Sequence, residues 1–231
     1  MLEFGMGISP KINQRIRVFF DLIREANIPG IIEAAPGFRT LLIYYNPMLI
    51  GLKALKEKLR EVEERIQTVE VKPHEDSKKV TIPVVYGGEF GPDLDFVAQF
   101  HGMYKEDLIE LFQKPEYSVY MYGLAPGHPL LAALPRKITT PRLKTPRSKV
   151  PVGTIGIGNR QIGIYTHEAP GGLQLIGRTP LKIYEPKRKN LPLFLDIGDM
   201  VKFKKIDEEQ YRQIAQRVES NKEDMNCYIE G

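Results

Sequence analysis

The stretch Thr139–Tyr184, TTPRLKTPRSKVPVGTIGIGNRQIGIYTHEAPGGLQLIGRTPLKIY, carries Gly, Pro and Arg at a density that an ordinary core does not need. Gly serves where the backbone must take a positive φ or let another group approach closely. Pro fixes φ and removes a donor, so the run specifies tight corners and exposed backbone. Between the corners lie short β-rich pieces, VPVGTIGIG, QIGIYTH, LQLIGRTP and LKIYEP. Strands this short, with turn residues so often between them, predict a small, strongly bent barrel rather than an open parallel sheet. Arg142, Arg147, Arg160 and Arg178 stand around those corners, where they either brace the loops or serve a site.

Working back towards the amino terminus, the pattern alternates strand and helix. A short opening segment, Leu2 to Ile8, precedes Ile12, Ile16, Phe19, Phe20 and Ile23 at helical spacing, with Pro10 placed for a first turn. After Pro29-Gly30 come IIEAA and TLLIYYN, separated by Pro36-Gly37. Leu52, Leu55, Leu59, Val62 and Ile66 then form the apolar stripe of a second helix, too short for a coiled coil and suited to covering a sheet. A polar run, 67–79, leads to the β-branched segment VTIPVVY. Strand, helix, strand, strand, helix, strand is the split βαβ order of a ferredoxin-like domain, expected over residues 1–86.

From Tyr86 the texture changes. A Gly-rich turn is followed by two short helix-like runs and the alternating strand YSVYMYG, so residues 87–206 are expected to form the barrel domain with two short helices at its start. Residues 207–231 read as a helix on Tyr211, Ile214 and Val218 with a fraying tail. DFVAQFHGMYKEDLIELF has the spacing of a helix-turn-helix, but the second helix carries Glu106, Asp107 and Glu110 against Lys105 and Lys114, a poor surface to bring to phosphates. Nucleic-acid binding is therefore not expected.

Composition narrows the class further. With 231 residues, 42% hydrophobic and 27% charged, the chain is an ordinary globular protein of two domains. No apolar run approaches the roughly 20 residues of a membrane span. The opening MLEFGMGISPKINQ does not read as a secretory signal, and a single cysteine, Cys227, permits no intramolecular disulfide, so a cytoplasmic location is expected. The net charge of +4 is small and its bases are interspersed with acids.

Familiar catalytic signatures are missing. His74, His101, His128 and His167 show no metal-ligand spacing, no Ser occupies a G-x-S-x-G elbow, and Gly153, Gly156 and Gly158 match a dinucleotide loop only loosely, with no helix after them. No metal site is expected, and no catalytic residue is assigned. What remains is a polar set: Glu89 and Asp93 in the Gly-rich turn, Arg142 and Arg147 in PRLKTPR, and Gln161, Tyr165, Gln174 and Arg178. Arginine pairs in a fork with carboxylates or phosphates, so the set would suit an anionic small ligand or an acidic partner. Equally, the arginines would tie the loop to the barrel through backbone carbonyls or through Glu89 and Asp93.

The motifs YGGEFGPDLDFVA, Y-x-VYMYGLAPGHP, TPRLKTPRSKVPVGTIGIGNRQIGIY, APGGLQLIGRTPLKIY and IGDMVKFKKI, with FGMGISPKIN at the start, together resemble the family of B-type 5-oxoprolinase subunits. That family also takes in allophanate hydrolase subunit 1 homologues and Kip-type inhibitors of a sporulation histidine kinase. The resemblance runs from about Leu2 to Ile206 and implies a ferredoxin-like domain followed by a cyclophilin-like β-barrel, an α+β chain. It implies two partners, a C-type or allophanate hydrolase subunit 2-type protein and an A-type protein. The assembly would open 5-oxoproline with ATP and water to L-glutamate, ADP and phosphate, the chain being inactive alone. The alternative it implies is a regulatory protein that inhibits a histidine kinase. Prolyl isomerisation does not follow from a barrel shape.

Carried over by motif, the resemblance places Glu89, Asp93, Tyr120, Arg142, Thr145, Arg147, Gln161, Tyr165, Gly171, Gly172, Gln174 and Arg178 in a substrate or partner groove. The chain departs from the family pattern at Leu124, His128 and Leu173, where aromatics are usual, and at Gln113, where a His commonly precedes the strand. Such changes alter any stacking pocket, at about 1 kcal/mol per aromatic contact.

Overall fold

A computed structural model describes residues 1–68, 77–188 and 192–230, and the chain divides into two compact units, Met1–Glu75 and Asp76–Gly231. His74 lies outside the described residues.

In the first unit the order is β1 (Leu2–Glu3), α1 (Pro10–Ala26), β2 (Ile31–Pro36), β3 (Thr40–Tyr45) and α2 (Leu52–Thr68). The strands form an antiparallel sheet in the order β1-β3-β2. Pro10 starts α1 as expected, and Asn27, in the left-handed region at φ 42°, ends it. Alternation along β3 puts Leu41, Ile43 and Tyr45 into one core with Ile16, Phe19 and Ile23 of α1 and Leu55, Leu59 and Val62 of α2, and leaves Leu42 and Tyr44 on the open face.

The fourth strand of a split βαβ domain is not in this sheet. Residues Lys79–Tyr86 form β4, which pairs in parallel with β12 (Met200–Lys205) in the second unit, so the expected boundary after residue 86 cuts through the barrel. The physical reason is burial on both faces: Ile82, Val84 and Val85 are all buried, as in a strand with barrel on one side and helices on the other.

The second unit is a seven-strand closed barrel. Its ring runs β11 (Gln174–Arg178), β8 (Thr154–Gly158), β9 (Gln161–Ile164), β6 (Pro129–Ala132), β5 (Tyr117–Tyr122), β12 and β4, and β4 closes on β11 through Tyr86↔Gly177 and Val85↔Arg178. A two-strand ribbon of β7 (Arg147–Val150) and β10 (Ala169–Gly171) is separate from the ring. The two short helices are α3 (Leu94–Phe100) and α4 (Lys105–Gln113), and Phe112 of α4 stacks on Phe203 with ring centroids 4.9 Å apart.

Two expectations at the carboxy end change. LKIYEP makes no strand, only a bridge between Tyr184 and Leu193. The tail does not fray: after α5 (Glu208–Glu219), which has a capping box at Asp207 and Gln210, the chain returns as β13 (Ile229–Glu230) on the first residues of β4. Among the described residues no helix is long and apolar enough to cross a membrane.

Candidate functional site

Strand alternation decides which side chains face out of the barrel. Ile155, Ile157, Ile162 and Ile164 belong to the main core, which turns Gly156, Gly158 and Gly163 to the other side of β8 and β9. The reason these are glycines is Leu173. A Cβ at Gly156 would stand 2.7 Å from Leu173 Cβ, and one at Gly158 2.7 Å from both Leu173 Cδ2 and Arg142 Cγ. Leu173, Tyr165, Val150 and Leu175 make a small apolar cluster of their own. Glycine at alternate strand positions signals close approach of another group, so the spacing of Gly156 and Gly158 marks this face rather than a dinucleotide loop.

The polar residues divide into those spent on the scaffold and those left open. Asp93 has both oxygens committed: Oδ1 accepts from Arg147 Nη2 at 2.6 Å and Oδ2 from the Leu175 backbone N–H at 2.6 Å. Its own N–H donates to the Leu175 carbonyl at 2.9 Å. Arg147 also pairs across the ribbon with Gly171, and a side chain at Gly171 would collide with the Tyr165 hydroxyl. Arg178 donates to the Glu89 carbonyl at 3.2 Å and lies over the Phe90 ring, while Phe90 meets Tyr211 of α5 edge-on at 4.8 Å. Loop bracing thus accounts for Asp93, Arg147, Glu89 and Arg178. The Glu89 carboxylate itself is exposed.

Arg142 is different. It donates to the Gln161 amide oxygen at 2.5 Å and forms no ion pair among the described residues. Its charge and that of Arg147 both act on the buried Tyr165 hydroxyl; burial nevertheless wins and pushes that hydroxyl up. Nearby, Gln174 is buried, its amide N–H donating to the Pro141 carbonyl at 2.9 Å while its oxygen finds no partner among the described residues. The Leu143 N–H donates to the Gly172 carbonyl at 2.8 Å, holding the loop over β11. Thr145 is exposed in that loop. Tyr120 is buried on β5, its hydroxyl pushed up to about 12 by burial against an opposing effect of Arg160.

Of the departures from the family pattern, Leu124 is fully exposed at the turn before β6, and Gln113 donates to the Tyr86 hydroxyl at 3.3 Å. His128 is 9% exposed, with its ring edge-on to Tyr165 at 4.9 Å. Burial first, and then the charge of His167, push its pKa down to about 4. A histidine lowered in the fold binds a proton more readily once unfolded, so its contribution is present above the ordinary pKa near 6.5 and is lost as pH falls towards 4. We expect a loss of about 2 kcal/mol between pH 7 and pH 5 from this group. Urea unfolding at the two pH values, compared between the wild type and His128→Phe, checks it: the variant should lose less.

Among the described residues, no group of three or more His, Cys, Asp or Glu side chains could hold a metal ion.

An α+β chain with a closed barrel and an arginine-edged, glycine-floored outer face is the class that fold and site define. The chain belongs to the carboxyltransferase domain family, subdomain C and D, whose pattern matches residues 1–194. It is 39% identical to the B component of 5-oxoprolinase from Bacillus subtilis, over 96% of this chain and 94% of that one. Among solved structures it is similar to TTHA0988, with a TM-score of 0.77 and 32% identity, covering 89% of this chain but 39% of that one. The Kluyveromyces lactis urea amidolyase shares the fold, with a TM-score of 0.79 at 22% identity, and this chain spans 15% of its length.

Proposed function

We propose that this chain is the B-type component of a heteromeric, ATP-dependent 5-oxoprolinase, a cyclic-amide hydrolase that opens 5-oxoproline to L-glutamate. The observation that carries the reading is Arg142, an exposed guanidinium that has, among the described residues, a neutral amide rather than a carboxylate for partner, set beside Tyr165 and a glycine floor. It is a ready seat for one carboxylate, and 5-oxoproline has one carboxylate and one lactam amide. The near full-length likeness to the Bacillus subtilis 5-oxoprolinase component supports the choice of substrate.

The chemistry is shared across the assembly. This chain binds and orients; a C-type partner completes the site, and ATP is hydrolysed by the assembly, since no G-x-x-x-x-G-K-[ST] phosphate loop occurs here. The barrel is read as the cyclophilin-like module that the resemblance implies, without isomerase activity.

The test is glutamate release from 5-oxoproline and ATP by this chain mixed with its A-type and C-type candidate partners, each omitted in turn. Activity should require all of them. Arg142→Ala should lower kcat/KM by about tenfold to a hundredfold, as loss of a charge-assisted hydrogen bond does. Its stability should stay within about 0.5 kcal/mol of wild type, as for an exposed side chain. Turnover by the isolated chain, or an Arg142→Ala assembly as active as wild type, would sink the reading.

A further inference from the structure

We infer that His128 is a specificity-determining residue of this face, its imidazole hydrogen-bonding a neutral polar group of the same small ligand whose carboxylate Arg142 holds. The inference rests on the reading proposed above and deepens it. Three observations support it.

Neither ring nitrogen of His128 has a hydrogen-bond partner among the described residues, although the side chain is more than nine-tenths buried. The two nitrogens are not among the fully buried atoms that lack a partner, so they keep access to solvent and are open to a ligand. The ring is also aimed at the glycine floor. A Cβ at Gly163 would lie 2.9 Å from His128 Nε2 and 2.9 Å from Leu173 Cδ1, just as one at Gly158 would lie 2.7 Å from Arg142 Cγ and 2.7 Å from Leu173 Cδ2. Leu173 therefore bridges the two polar groups, one of its methyls towards the imidazole and the other towards the guanidinium stem. A cation and a hydrogen-bonding group flanking one leucine side chain match a ligand of a few heavy atoms with a carboxylate at one end and an amide at the other.

The third observation is the state of the ring. Burial, and after it the electrostatic effect of His167, lower its pKa, so the ring is neutral at pH 7 and offers one N–H and one lone pair. That combination suits an amide rather than a second carboxylate. The ligand class is accordingly a small carboxylic acid that also carries a secondary or cyclic amide.

The experiment uses the complete assembly with 5-oxoproline as the probe. His128→Phe and His128→Met are apolar fillers of different shape, so that one remains informative should the other not fold. Each is expected to raise KM about tenfold with kcat within about twofold, the effect of one lost hydrogen bond. His128→Gln, which restores a donor and an acceptor, is expected to recover most of the loss, a result that a purely packing role would not produce. An unchanged KM in the folded apolar variants, or no recovery with Gln, overturns the inference while leaving the lactam reading intact. A wild-type assembly that releases no glutamate overturns both.

Discussion

Asp93→Ala is expected to cost about 3 kcal/mol of stability, because it breaks a buried pair by removing one partner. Asp93 holds the Arg147 guanidinium with one oxygen and the Leu175 N–H with the other, each at 2.6 Å. Without the carboxylate, Arg147 keeps a charge on a side chain only 31% exposed, and the Leu175 N–H is left buried with no acceptor. An unsatisfied buried donor costs about 1–3 kcal/mol by itself, and the partial exposure of Arg147 keeps the total below that of a fully buried pair. In thermal unfolding this corresponds to a fall of about 6–12 °C for a chain of this size. Asp93→Asn retains an acceptor for Leu175 and should fall between. Activity is expected to drop with stability, since Arg147 begins the ribbon that stands beside Tyr165. A Tm of Asp93→Ala equal to wild type would show that the clamp is not holding β7 to β11.

The contrast between Asp93 and Arg142 also shows what the chain discloses by itself. The barrel was legible from β-rich pieces bounded by Gly and Pro, and both long helices were legible from their apolar stripes, because those signals are local. The fate of VTIPVVY was not local. Its partner, β12, lies far along the chain, and nothing in a buried β-branched run says which of two sheets it joins. LKIYEP has strand-like alternation too, yet Pro180 and Pro186 bracket it, and it is held instead by the Phe194 N–H donating to the Ile183 carbonyl at 2.8 Å. The site behaves in the same way. PRLKTPR announces two arginines, but which one is neutralised depends on an aspartate 54 residues from Arg147. His128 read as a lost aromatic, and only the fold shows its Nε2 placed over Gly163 beside Leu173.

Gly91→Ala is expected to be at least as damaging as Asp93→Ala, through packing alone. The turn that ends in Asp93 lies flat on β11: the Gly87 N–H donates to the Ile176 carbonyl at 3.1 Å and the Asp93 N–H to the Leu175 carbonyl at 2.9 Å. Between those anchors, a Cβ on Gly91 would fall within the Ile176 carbonyl group and 2.6 Å from the Gly177 nitrogen. These are backbone atoms, so no rotamer change relieves the clash. Either the turn lifts off, losing the Asp93 clamp, or β11 moves, and β11 is the strand that closes the barrel between β8 and β4. Overpacking of this kind costs about 3 kcal/mol or more. Gly88→Ala separates this clash from simple backbone strain. Gly88 has φ +52° but open space around its Cβ, so alanine there should cost only about 1 kcal/mol. If chemical denaturation ranks Gly91→Ala as the less damaging of the two, the turn does not lie on β11 as described. The order expected here instead makes contact between the turn and strand, rather than glycine's freedom at φ, the reason that Gly precedes Pro92 and Asp93.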